Sequence, residues 1–128
     1  MVKHMNKVLF YCVVFALVFT ACSTAEQDIP PTLSPAQAKG KAVFSANCAS
    51  CHTTAPDLIV VGPSLAGIAS RAGSRIEGYS ARQYIETSIL FPDNYTVEGF
   101  EDLMPKTFGK TLSSEDFDAL IEYLMTLD

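Results

Sequence analysis

Cys48-Ala49-Ser50-Cys51-His52 is the stretch on which the reading of this chain turns. Two thiols three residues apart lie on one face of a helical turn, and the next residue offers an imidazole. That spacing suits three chemistries. It can attach a c-type haem through two thioethers with histidine on the iron, contribute to a structural zinc site, or act as a thioredoxin-like dithiol. The flanking residues discriminate among them.

A zinc site needs four nitrogen or sulfur ligands. Cys12 lies inside an apolar run, Cys22 ends it, and His4 precedes it, so past Cys22 only Cys48, Cys51 and His52 remain. A thioredoxin-like pair follows a strand. Here Ser34-Pro35-Ala36-Gln37 carries a Ser N-cap, Pro at the first helical position and Gln as capping-box partner, predicting a helix from about Pro35 to Cys51. Val43 and Phe44 fall at core-facing spacing, and Gly40 leaves a flat spot where another helix can come close. The motif therefore reads as the attachment site of one covalent haem c.

The chain has 128 residues, enough for one domain. Its N-terminus places Lys3 and Lys7 before the apolar stretch Val8 to Ala21. Fourteen residues span roughly 21 Å as a helix, short of a hydrocarbon core of about 30 Å, so a removed export signal is favoured over a membrane span. Phe19-Thr20-Ala21-Cys22 resembles the lipobox of bacterial lipoproteins, with Phe where Leu is usual. That resemblance implies a signal over 1–21, lipidation of Cys22 and a tether over 22–33 stiffened by Pro30-Pro31, followed by a domain over 34–128. An ordinary secretory signal and an uncleaved anchor are the competing readings. All three place the domain on the extracytoplasmic face of the membrane, periplasmic or at the cell surface. Without Lys3 and Lys7, seven basic residues face fourteen acidic ones, a net charge of −7 against −5 for the whole chain. Nucleic acid is excluded as a partner, because phosphate binding needs a basic face, and a docking partner is expected to be neutral or basic there.

Ser80-Ala81-Arg82-Gln83 is a second capping box, predicting a helix from Ala81 to Leu90 that Pro92 ends, with Tyr84, Ile85, Ser88 and Ile89 inward. A last helix begins at Ser113, with Asp116 in its first turn and Phe117, Leu120, Ile121 and Leu124 as its apolar stripe. A short helical turn is expected over Pro63 to Ala69. No β-alternation appears, so the fold class is all-α.

From residue 34 to 127 the sequence resembles a class I, monohaem cytochrome c. The resemblance rests on Gly40 and Phe44 before the haem motif, Gly62-Pro63-Ser64-Leu65 after it, Tyr84 to Ile89 before Pro92, Gly99-Phe100 through Met104-Pro105, and Leu120 to Leu124. The stretch from Tyr84 to Pro105 is similar to the haem c domains of bacterial respiratory complexes. The resemblance implies three main helices and short turns around one haem. It implies that Pro63 accepts from the ring N–H of His52, that Leu65 packs on the haem, and that Arg71 sits near a propionate. It further implies that Gly40 and Phe44 meet Leu120 and Tyr123 where the first and last helices cross. A solvated loop charge is the alternative for Arg71. The chain has no Trp to donate to a propionate. Tyr79 or Tyr84 is read either as its substitute or as a buried tyrosine with a local partner. The path of Thr53 to Val61, which contains Leu58-Ile59-Val60-Val61, does not follow from the sequence.

The second axial ligand follows by elimination. His52 is the one histidine left after the leader, and Met104 and Met125 are the two methionines. Met125 belongs with the last helix, where Met is ordinary core filling. Met104 precedes Pro105 in a loop that starts at Gly99, which suits a strap presenting a thioether. The alternative is a core Met104 with the iron open or bound by Lys or water. Ligation by His52 and Met104 favours Fe(II) and leaves no open position. The expected function is therefore membrane-tethered single-electron transfer rather than catalysis. The candidates are a peripheral haem subunit of a quinol-oxidising complex such as alternative complex III, a tethered shuttle to an oxidase, and the cytochrome subunit of a periplasmic dehydrogenase. A haem peroxidase or gas sensor with displaceable Met104 is the reading from a different class.

Overall fold

The computed structural model describes residues 32–128. The expected leader, the expected lipidation at Cys22 and the expected tether up to Pro31 lie outside the described residues. The domain from Leu33 to Asp128 is one compact unit, helical and without strands among the described residues, so the all-α expectation holds. Three helices dominate: α1 (Pro35–Asn47), α3 (Ala81–Leu90) and α5 (Ser114–Leu124). Two four-residue helices, α2 (Ile68–Arg71) and α4 (Phe108–Thr111), and 3₁₀ turns at Ala72–Ser74 and Pro92–Asn94 connect them.

Local chemistry starts each long helix. Ser34 and Gln37 form a reciprocal capping box at α1, and Ser80 and Gln83 form another at α3. Ser113 accepts from the Asp116 amide at α5, where Glu115 and Asp116 also favour the positive end of the helix dipole. Pro92 stands just past α3, which closes on Phe91.

α1 is shorter than its pattern predicts. It ends at Asn47: the Cys48 amide makes the last regular bond, to the Phe44 carbonyl, and the Ala49 amide turns to that same carbonyl instead of continuing the ladder. The haem motif then forms a turn of its own, in which the Cys51 and His52 amides converge on the Cys48 carbonyl. The short helix expected over Pro63 to Ala69 lies further on, at Ile68–Arg71. Gly67, in the left-handed conformation at φ +67°, ends the preceding turn, and Pro63 to Leu65 stay irregular.

α1 and α5 pack at very close range. A Cβ built on Gly40 would stand 1.9 Å from the Ala119 carbonyl oxygen and 2.7 Å from the Tyr123 Cβ. Phe44 and Tyr123 meet just beyond, ring centroids 5.7 Å apart and tilted by 53°. The crossing thus falls on Tyr123, as the resemblance implies, and at Gly40 on the Ala119 backbone rather than on Leu120. Ala119 and Tyr123 are buried with Leu120, Ile121 and Leu124, while Phe117 is half-buried at the margin. Lys39 bridges α1 to Glu115 and Asp116 at the open end, an exposed contact of small energetic weight. Tyr84, Ile85 and Ile89 of α3 complete the core with Ile68 and Ala72, as the inward face predicted, with Ser88 half-buried.

Gly40→Val is expected to destabilise the haem-loaded protein by about 3 kcal/mol or more, since backbone rather than a pliable side chain stands in the way. A denaturant midpoint equal to that of the wild type would contradict this packing.

Candidate functional site

The motif turn, the segment after it, α2, α3 and the loop before α4 enclose one cavity. Cys48, Cys51, His52, Pro63, Leu65, Arg71 and Met104 all line it. Every cavity residue named from the sequence is thus in one place, although 56 positions separate the first from the last. Met125 is not on the wall. It caps α5 and packs against the core.

His52 is held from two directions. Its Nδ1 donates to the Pro63 carbonyl oxygen at 2.8 Å, which keeps the proton on Nδ1 and leaves the Nε2 lone pair available. Gly62 lies flat against the same ring, where a Cβ would come within 2.5 Å of Cε1. Gly62 therefore carries no side chain because the imidazole occupies that space.

Neither motif cysteine is in a disulfide. Burial, reinforced by the neighbouring Cys51, pushes the Cys48 thiol up to about 11. A redox dithiol needs the opposite shift, so the environment disfavours thioredoxin-like chemistry. Among the described residues no group of three or more His, Cys, Asp or Glu is placed to hold a metal ion. The donor set fits a covalent haem c: two thiols, one oriented imidazole, a thioether and a largely apolar wall.

The segment over residues 53–61, whose path the sequence left open, is a loop pinned at its base. The Val61 and Gly62 amides bond to the Cys51 carbonyl, and the Leu65 amide bonds to the Thr53 carbonyl. Inside, the Ala55 amide donates to the Thr53 hydroxyl, the Ser64 hydroxyl donates to the Ala55 carbonyl, and Asp57 takes a left-handed conformation at φ +57°. Leu58, Ile59 and Val60 consequently face outward, 52 to 62% exposed, while Val61 stands at the cavity wall, 49% exposed. Such a run is ordinarily interior, so periodicity gave no sign of its exposure.

Met104 is half-buried against the core on its loop. Lys106 fastens that loop by bridging Asp102 within it to Asp93 in the 3₁₀ turn after α3. The Tyr95 ring meets the Tyr84 ring edge-on at 5.7 Å. Arg71 donates through its guanidinium to the carbonyls of Ala66 and Ser64. This differs from the solvated charge weighed as its alternative: burial, then the nearby charge of Arg75, pulls its pKa down. Of the two candidate tyrosines, Tyr84 is buried and lines the cavity, whereas Tyr79 is exposed and off the wall. Arg75 also lines the cavity and was missed. Its position four residues after Arg71 was the available signal, readable only once a helical turn is known to join them.

A protein-family model described as cytochrome c matches residues 37–128. No curated protein matches the chain.

Gly62→Val is expected to displace the His52 ring and break its bond to Pro63. The measurable result is a changed iron spectrum in the purified holoprotein, with a new high-spin component. An unaltered spectrum would show that the ring does not depend on this contact.

Proposed function

Because the chain belongs to the cytochrome c family, and is thereby a haem c electron-transfer protein, we propose that it is a membrane-tethered, extracytoplasmic electron carrier with His52 and Met104 as axial ligands. The observation that carries the ligand assignment is that His52, with its Nε2 free, and Met104 line the same cavity, while Met125 does not. Once bound, haem c supplies a one-electron iron couple, and a thioether ligand places it toward high potential.

The protein's residues do the rest. Cys48 and Cys51 hold the group covalently at the motif turn. The Pro63 carbonyl fixes the imidazole tautomer and raises its basicity, so His52 meets the iron in one orientation. The loop carrying Met104 is braced by Lys106 and by the Tyr84–Tyr95 contact, which keeps the thioether in place and excludes exogenous ligands. Leu65 and the other apolar wall residues keep water from the site.

Cys22 would carry the lipid anchor, and residues 23–33 would let the domain reach at most roughly 36–40 Å from the bilayer. That arrangement suits a peripheral haem subunit of a quinol-oxidising complex such as alternative complex III, or a tethered shuttle to an oxidase. A redox partner with a neutral or basic docking face complements the acidic balance of the chain.

Two experiments test these assignments. Met104→Ala is expected to abolish the sulfur-to-iron charge-transfer band of the oxidised protein, lower its midpoint potential and let the reduced form bind carbon monoxide. Tight carbon monoxide binding by the reduced wild type would instead favour a sensor or peroxidase. For the anchor, Cys22→Ala is expected to move the haem protein from the membrane fraction to the soluble fraction, and retention in the membrane would argue for an uncleaved leader.

A further inference from the structure

The hydrogen bonds behind His52 close into a ring. Nδ1 of His52 donates to the Pro63 carbonyl oxygen at 2.8 Å, and that carbonyl belongs to the peptide group joining Pro63 to Ser64. The Ser64 hydroxyl donates in turn to the Ala55 carbonyl, at 2.7 Å. The Ala55 amide donates to the Thr53 hydroxyl at 3.0 Å, and Thr53 follows His52 directly in the chain. The imidazole and the carbonyl that accepts from it are therefore joined twice, once by their own hydrogen bond and once through Thr53, Ala55 and Ser64.

Main-chain geometry alone does not fix the direction of the Pro63 carbonyl. The proline ring sets φ but leaves ψ free, and Pro63 to Leu65 lie outside any helix, so no ladder holds the peptide plane. Ser64 supplies that restraint with both sides of its hydroxyl: besides donating to Ala55, the oxygen accepts from the Ala66 amide at 3.2 Å. The place of the segment in the fold does not rest on this side chain. The Leu65 amide bonds to the Thr53 carbonyl, the Val61 and Gly62 amides bond to the Cys51 carbonyl, and Arg71 donates to the Ser64 and Ala66 carbonyls. Loss of the hydroxyl would thus leave the segment where it is and free the peptide plane to turn.

We propose that Ser64 is a positioning residue: its hydroxyl closes the ring that keeps the Pro63 carbonyl aimed at His52, and through that bond it sets how strongly the imidazole donates to the iron. This rests on the haem c reading with His52 as ligand. A firm bond from Nδ1–H to the carbonyl makes the imidazole the better electron donor, which favours ferric iron and holds the potential down. A loosened bond does the reverse.

The test uses the full-length haem protein and reads two quantities that a purely structural role would leave unmoved. They are the exchange of the His52 ring N–H with deuterium, followed by NMR in the reduced form, and the midpoint potential. Ser64→Ala is expected to speed the exchange tenfold or more and to raise the potential by up to about 60 mV, the one-electron equivalent of a tenfold loss of the ligand's preference for ferric iron. Ser64→Thr keeps the hydroxyl and returns both quantities to within a third of that shift. Thr53→Val opens the same ring at its other hydroxyl and moves both in the same direction by less. Wild-type exchange and potential in Ser64→Ala, or in Thr53→Val should Ser64→Ala not load haem, overturn the positioning role while leaving His52 on the iron. A Ser64→Thr shift as large as that of Ser64→Ala, or a lowered melting temperature with neither quantity changed, overturns it equally. A wild-type protein without covalent haem overturns the reading beneath it as well.

Discussion

At Gly40 the backbone of α1 lies so close to the backbone of α5 that no side chain fits between them. The remaining architecture depends on this crossing. It sets the angle at which α1 arrives at Phe44, and the Phe44 carbonyl is where the helix ends and the motif turn begins. Leu120, Ile121 and Leu124 are buried in one cluster with Tyr84, Ile85 and Ile89 of α3, and Phe44 and Leu124 of that cluster also line the cavity. A domain of this size has little core to spare. The cavity occupies the place a larger protein would fill with aliphatic side chains.

Within that frame, the site is built by main-chain groups as much as by side chains. The Pro63 carbonyl orients His52, the Ser64 and Ala66 carbonyls hold Arg71, and the Cys51 carbonyl fastens the base of the 53–61 loop. Irregular backbone near the motif therefore has its polar groups engaged, and among the described residues no buried side-chain nitrogen or oxygen lacks a partner. Electron transfer benefits from such rigidity, since ligands that do not move between oxidation states keep reorganisation small.

The residues differ in how far they could be read in advance. Ser34 with Gln37, Ser80 with Gln83, and Ser113 with Asp116 start helices through contacts three residues long, so those starts were legible. The end of α1 was not, because the Ala49 amide leaves the ladder to share the Phe44 carbonyl with Cys48, and Phe44 packs against Tyr123 of α5. Likewise, Leu58 to Val60 looked interior by composition. They are exposed because hydrogen bonds at the loop base and the left-handed Asp57 turn them outward.

The sequence by itself determined the helices, the covalent attachment motif and the short set of residues able to ligate iron, because each depends on residue type and on spacing within a few positions. Only the tertiary structure decided that Met104 rather than Met125 shares the cavity with His52, that Tyr84 rather than Tyr79 faces it, and that Arg75 joins Arg71 there. Those facts arise from elements far apart in the chain, and no local preference encodes how a loop near residue 104 folds back upon a turn at residue 48. The haem motif announced the cofactor, while tertiary packing decided which side chains surround it.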